Sequence, residues 1–153
     1  MQIGKYEFTF VETIELIETK DGKLSYEPQL RYKKADTVPL HMYGAGEFCK
    51  FKLKNAKDVS GVYVWIIDNE VVYIGEAVNL RKRFNMGYGN ISPKNCYIGG
   101  QITNCKMNKV VWEEYKKGNH IQIYFYETPH YKEVEEELLL SITTKYNVKN
   151  NMR

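Results

Sequence analysis

The chain has 153 residues, 43% of them hydrophobic and 14% aromatic, and carries a net charge of +3. This composition excludes wholesale disorder, the length suits one domain spanning 1–153, and so small a charge cannot by itself identify a nucleic-acid binder. No apolar run approaches the roughly 20 residues that span a bilayer, and Met1 leads into strand-like sequence instead of a signal peptide, so a cytoplasmic location with no membrane partner is expected.

In chain order, the alternation of Phe8, Phe10, Ile14 and Leu16, then Asp21-Gly22, then Leu24 to Tyr32 predicts an N-terminal β-hairpin. From Lys33 to Ala56 the pattern breaks up around Pro39, Gly44 and Gly46, which predicts an irregular connection; residues 1–57 thus read as an extension and 58–150 as the core. Val62 to Ile67 and Val71 to Ile74 are β-branched and aromatic, and Asp68-Asn69-Glu70 between them suits a turn, so the two runs should pair antiparallel. Leu80 and Phe84 then share one helical face with Arg83 at its edge, where it can point back at the sheet.

A glycine-rich stretch from Asn85 to Gln101 exceeds an ordinary connection and reads as a functional loop. A helix is expected from about Asn104 to Lys117, with Val110, Val111 and Trp112 inward and Gly118 as its stop. Ile121 to Tyr126 reads as a third core strand, and Tyr131 to Lys145 as a final helix with Val134, Leu138 and Ile142 inward. The fold class expected is α+β, with a small three-stranded antiparallel sheet flanked by helices.

The candidate chemistry rests on few side chains. Strand alternation places Tyr63 with Trp65 and Tyr73 with Val71, while the hairpin register that would put both tyrosines on one face is not fixed by sequence. Glu135 adjoins the apolar stripe of the last helix, whereas Glu133 and Glu137 belong to a solvated face. Cutting a phosphodiester requires an activated water and stabilisation of the extra negative charge of the transition state. A phenol at Tyr63 can orient or deprotonate water, the second task needing a pKa below the usual value of about 10; Arg83 can grip nonbridging oxygens, and Glu135 can hold a hard cation that keeps most of its waters.

The ordered set Gly61-Val62-Tyr63, Tyr73-Ile74-Gly75, Arg83 and Glu135, closed by Lys145-Tyr146-Asn147, resembles the GIY-YIG nuclease signature over residues 61–147. The resemblance implies an α+β nuclease core that cuts DNA with one divalent metal, Mg²⁺ or Mn²⁺, and leaves a 5′-phosphate. It implies Tyr63 as the water-orienting phenol, Tyr73 as a second phosphate or water ligand, Arg83 as the transition-state clamp, Glu135 as the metal ligand and Asn147 as a support for the site. Where many members carry a His one helical turn beyond the Arg, this chain has Gly87, with Tyr88 beside it.

Arg81, Lys82 and Lys94, with Lys106 and Lys109, form a candidate phosphate track; Tyr88 and Asn104 are further candidate nucleic-acid contacts, and Asn85, Asn90, Asn95 and Gln101 could read base edges. The expected partner is DNA, with a homodimer if both strands are cut. A restriction-type endonuclease is favoured over a repair or mobile-element nuclease, a binding module without cleavage and a protein-interaction module. Cys49, Cys96 and Cys105 lack disulfide or zinc spacing and read as reduced, partly buried thiols, and His41, His120 and His130 show no metal spacing.

Overall fold

The computed structural model describes residues 1–148 and is α+β. It divides into two compact units: among the described residues, Met1–Ile14, Leu53–Arg81 and 119–148 form the first, and Glu15–Lys52 with Lys82–Gly118 the second.

The first unit is built on a four-stranded antiparallel sheet in the order β3–β8–β6–β7, formed by Thr9–Thr13, Gln122–Glu127, Gly61–Ile67 and Glu70–Ala77. A small hairpin, β1 (Gln2–Ile3) with β2 (Tyr6–Glu7), precedes it. All of β6 is buried, as expected of a central strand with both faces covered. On one face, Val62, Val64, Ile66 and Ile74 pack with Ile3, Phe8, Val134 and Leu138, the last two from helix α3 (Tyr131–Ser141). Asp68 and Asn69 join β6 to β7 with φ of 50° and 64°, the left-handed pair that a two-residue hairpin turn demands and that Asx residues tolerate best.

The second unit contains the short ladder β4 (Ser25–Tyr26) with β5 (Phe48–Cys49) and helix α2 (Ile102–Lys116). Its core gathers Phe48, Ile91, Cys96, Tyr97 and Cys105. All three cysteines are buried and free, as read from their spacing. After the single turn α1 (Leu80–Lys82), a π-helical segment runs Arg83–Tyr88 and a 3₁₀ turn Pro93–Cys96 follows, so the glycine-rich stretch is ordered structure.

Beside the final helix, which stops at Ser141 with Ile142 extended instead of reaching Lys145, two expectations are corrected. The turn at Asp21-Gly22 forms, with Gly22 at φ 74°, its N–H on Thr19 O and Thr19 N–H on Lys23 O, but the runs beyond it, Tyr6 to Leu16 and Leu24 to Tyr32, form no ladder with each other. Thr9–Thr13 instead bonds β8 and adds a fourth strand to the expected three, while Ser25–Tyr26 bonds Phe48–Cys49. Each run finds a longer-range partner with apolar residues to cover, which local turn chemistry cannot reveal. The second correction concerns β7, where a bulge intervenes: Trp65 pairs with Tyr73 but Ile66 pairs with Val71. The extra residue, Val72, puts Tyr73 and Val71 on opposite faces, against the simple alternation expected.

Candidate functional site

In the first unit the hairpin register resolves where the tyrosines lie. Tyr63 sits opposite Gly75 and Trp65 opposite Tyr73, so both phenols project from the same face of the sheet, the one turned away from α3. Tyr73 is half-buried, its ring meeting Trp65 edge-on at 5.9 Å between centroids, whereas Tyr63 is 1% exposed. The glycines of the two tripeptides serve these rings. A Cβ on Gly75 would lie 2.4 Å from both Cζ and Oη of Tyr63, and one on Gly61 would lie 2.5 Å from the Phe125 ring and 2.2 Å from Tyr126 O. Glycine is therefore required at both places by close approach, since neither has a positive φ.

Asn147 is tied to the same hairpin. Its Oδ1 accepts from Ile74 N–H and its Nδ2 donates to Ile74 O, both at 2.8 Å, and Tyr146 N–H donates to Val72 O at 3.0 Å. The Thr144 hydroxyl donates to Asn147 Oδ1 and holds the amide in this orientation. Asn147 thus supports the middle of the Tyr73-Ile74-Gly75 strand from its outer edge.

Glu135 lies half-buried on α3 beside Val134, at the boundary of the core cluster, as its phase requires. The helix that carries it packs on the sheet face opposite the two tyrosines. Glu76, which sequence reasoning passed over, sits on β7 opposite Val62 and hence on the α3 side, and its Oε2 is buried with no hydrogen-bond partner among the described residues. The signal for it was available: an acid inside a strand, directly after Gly75. Among the described residues no three His, Cys, Asp or Glu side chains gather into a metal-holding group. Glu135 at the core boundary and the orphaned oxygen of Glu76 are hard oxygen donors of the kind Mg²⁺ takes, two carboxylates of the first unit that do not complete such a group.

In the second unit the π-helical segment fixes Arg83. Gly89 N–H donates to Phe84 O at 2.7 Å, the five-residue spacing of a π turn, and a Cβ on Gly89 would lie 1.9 Å from Phe51 O. Arg83 Nη1 donates to Asn104 Oδ1 at 2.5 Å, and the guanidinium carbon stands 4.0 Å from the centroid of the Tyr88 ring. Phe84 meets Tyr88 edge-on at 5.2 Å between centroids. Asn108, one turn beyond Asn104 on α2, accepts from Cys49 N–H and donates to Cys49 O and Tyr88 O.

The candidate phosphate contacts divide accordingly. Tyr88 is 0% and Asn104 5% exposed, and both contact Arg83. Arg81 and Lys82 are exposed, Arg81 pairing at 3.5 Å with the exposed Asp58 of the first unit, and Lys94 is exposed in the second. Lys109 is committed to Glu47 O at 3.2 Å and to the Phe48 ring at 3.9 Å, and burial lowers the pKa of both Lys109 and Lys106. Asn95, a candidate base reader, accepts from Ser92 N–H at 3.1 Å inside the 3₁₀ turn. Asn104 and Asn108 are spaced by four on α2, on the face that also carries Cys105 and Val111.

No helix among the described residues is long and apolar enough to cross a membrane. No protein-family model matches the chain, and no curated protein or solved structure is detectably similar to it.

Proposed function

We propose that this protein is a GIY-YIG-type DNA endonuclease hydrolysing phosphodiester bonds with Mg²⁺ or Mn²⁺. The observation that carries the reading is the placement of Tyr63 and Tyr73 on one face of a hairpin, with Gly75 lying beneath the Tyr63 ring. A glycine kept clear so that a phenol can cross the neighbouring strand gives the paired tripeptides a physical purpose beyond strand propensity.

In this reading Tyr73, the half-buried phenol, binds a nonbridging oxygen or the attacking water, and Tyr63 orients that water from its sheltered position. Arg83 neutralises the charge that builds on the equatorial oxygens. Glu135 would hold the cation, with Glu76 as the further carboxylate available in the same unit; such an ion would supply Lewis acidity for activating a water and relieving charge on the leaving oxygen. Asn147 keeps the Tyr73 strand in place through its pair of hydrogen bonds to Ile74 N–H and Ile74 O. Restriction-type cutting is the reading favoured within this class, and DNA is the partner.

Supercoiled plasmid incubated with Mg²⁺, beside an EDTA control and the Glu135→Ala and Arg83→Ala variants, tests this. Conversion to nicked or linear DNA by the wild type with Mg²⁺ is expected, with none under EDTA or for Glu135→Ala, and with Arg83→Ala slower by about 10²- to 10³-fold, the usual loss on removing one charge-stabilising donor. No metal-dependent cleavage across plasmids of varied sequence rejects the reading.

A further inference from the structure

We infer that Asn104 and Tyr88 are positioning residues that set the plane of the Arg83 guanidinium before any phosphate arrives; the inference rests on the nuclease reading above. Three observations within the second unit converge on it. Asn104 Oδ1 accepts from Arg83 Nη1 at 2.5 Å, the Tyr88 ring lies 4.0 Å beneath the guanidinium carbon, and both partners are themselves immobilised by burial. Tyr88 is held in turn, because its carbonyl accepts from Asn108 Nδ2 at 2.8 Å and its ring is flanked by Phe84. A further observation is the space at Gly87: a Cβ there would lie 3.2 Å from Arg83 Nη1 and 3.4 Å from Asn104 Oδ1, so the pair fills the room that a side chain would take.

A flexible arginine loses side-chain entropy each time it grips an anion, whereas a stacked and hydrogen-bonded one has lost it on folding. The amide oxygen of Asn104 is suited to this task because it fixes one Nη without bringing a negative charge against the cation. An aspartate there would hold the same geometry but place a carboxylate in competition with the phosphate.

The test measures single-turnover cleavage and DNA affinity separately for wild type, Asn104→Ala, Asn104→Asp, Gly87→Ala, Tyr88→Leu and Tyr88→Phe, with thermal melts and side-chain ¹⁵N spectra of the arginines. Expected are a cleavage rate about 10- to 100-fold lower for Asn104→Ala with affinity nearly kept, since small misplacement costs rate more than binding. Arg83 N–H signals that are slow to exchange in the wild type should broaden in that variant. Asn104→Asp should lose both rate and affinity, and Tyr88→Phe, which keeps the ring, should retain more rate than Tyr88→Leu. A folded Asn104→Ala with wild-type rate, or with unchanged Arg83 signals, overturns the inference. Should Asn104→Ala not fold, Gly87→Ala decides: a melting point close to wild type with a slowed rate supports the inference, and a wild-type rate overturns it. A wild type that cleaves nothing rejects the nuclease reading itself, a result distinct from cleavage that ignores these substitutions.

Discussion

Gly75 and Tyr63 illustrate how a single atom settles the use of a residue. Because a Cβ at Gly75 would overlap Cζ and Oη of Tyr63 at 2.4 Å, Gly75→Ala must displace the ring, and no flexible chain end is there to yield. Overpacking of this kind costs about 1–3 kcal/mol, so urea unfolding of Gly75→Ala should show a lowered midpoint; an unchanged midpoint would mean the ring has room to move. Asn147→Ala removes both bonds to Ile74 and should cost about 1–2 kcal/mol, while Asn147→Asp, which keeps the acceptor but loses the donor to Ile74 O, should not rescue it. At this scale much was legible. The half-burial of Glu135 followed from helical phase, since one residue's angular offset from Val134 and Leu138 fixes its depth. The shared face of Tyr63 and Tyr73 was not, because it depends on a bulge at Val72 whose signature, three β-branched or aromatic residues in a row, also fits an unbroken strand.

Among elements, the β6–β7 hairpin was the easiest to read: an Asp-Asn pair between two apolar runs leaves few other solutions. The N-terminal strands were harder because their partners, β8 and β5, lie far along the chain, and the same sequence satisfies a local hairpin equally well. The π-helical segment had no visible signal beyond Gly87 and Gly89, whose meaning comes from the close approach of Phe51 O at the second. That segment depends on Asn108, fully buried and bonded at 2.9, 2.7 and 2.8 Å to Cys49 N, Cys49 O and Tyr88 O. Asn108→Ala would leave a buried donor and two carbonyls without this partner and is predicted to cost about 3 kcal/mol or more by chemical denaturation. A loss below about 1 kcal/mol would show that neighbouring groups or water replace the amide.

For the molecule as a whole, the buried acids of the second unit set an alkaline limit. Burial pushes the Cys49 thiol from its ordinary 9.0 up to about 12, and the Tyr26 phenol from 10.0 up to about 12. Each group keeps its proton in the folded state at a pH where the unfolded chain has released it, so stability is intact below about pH 9 and falls as pH rises from there to about 12. Tyr26 alone accounts for about 3 kcal/mol across the upper part of that window. Denaturant midpoints between pH 7.5 and 11.5 should trace the fall, and Tyr26→Phe should flatten it above pH 10 while leaving the earlier part; a curve unchanged by Tyr26→Phe would assign the whole effect to other groups. The C-terminal clamp on β7 has a consequence of another kind. A strand at the rim of a sheet exposes a ladder of amides that a second chain can copy, and here Val72 O, Ile74 N–H and Ile74 O are already taken by the protein's own tail. Those groups of the rim are thereby withheld from strand-by-strand growth, the pairing through which exposed edges associate.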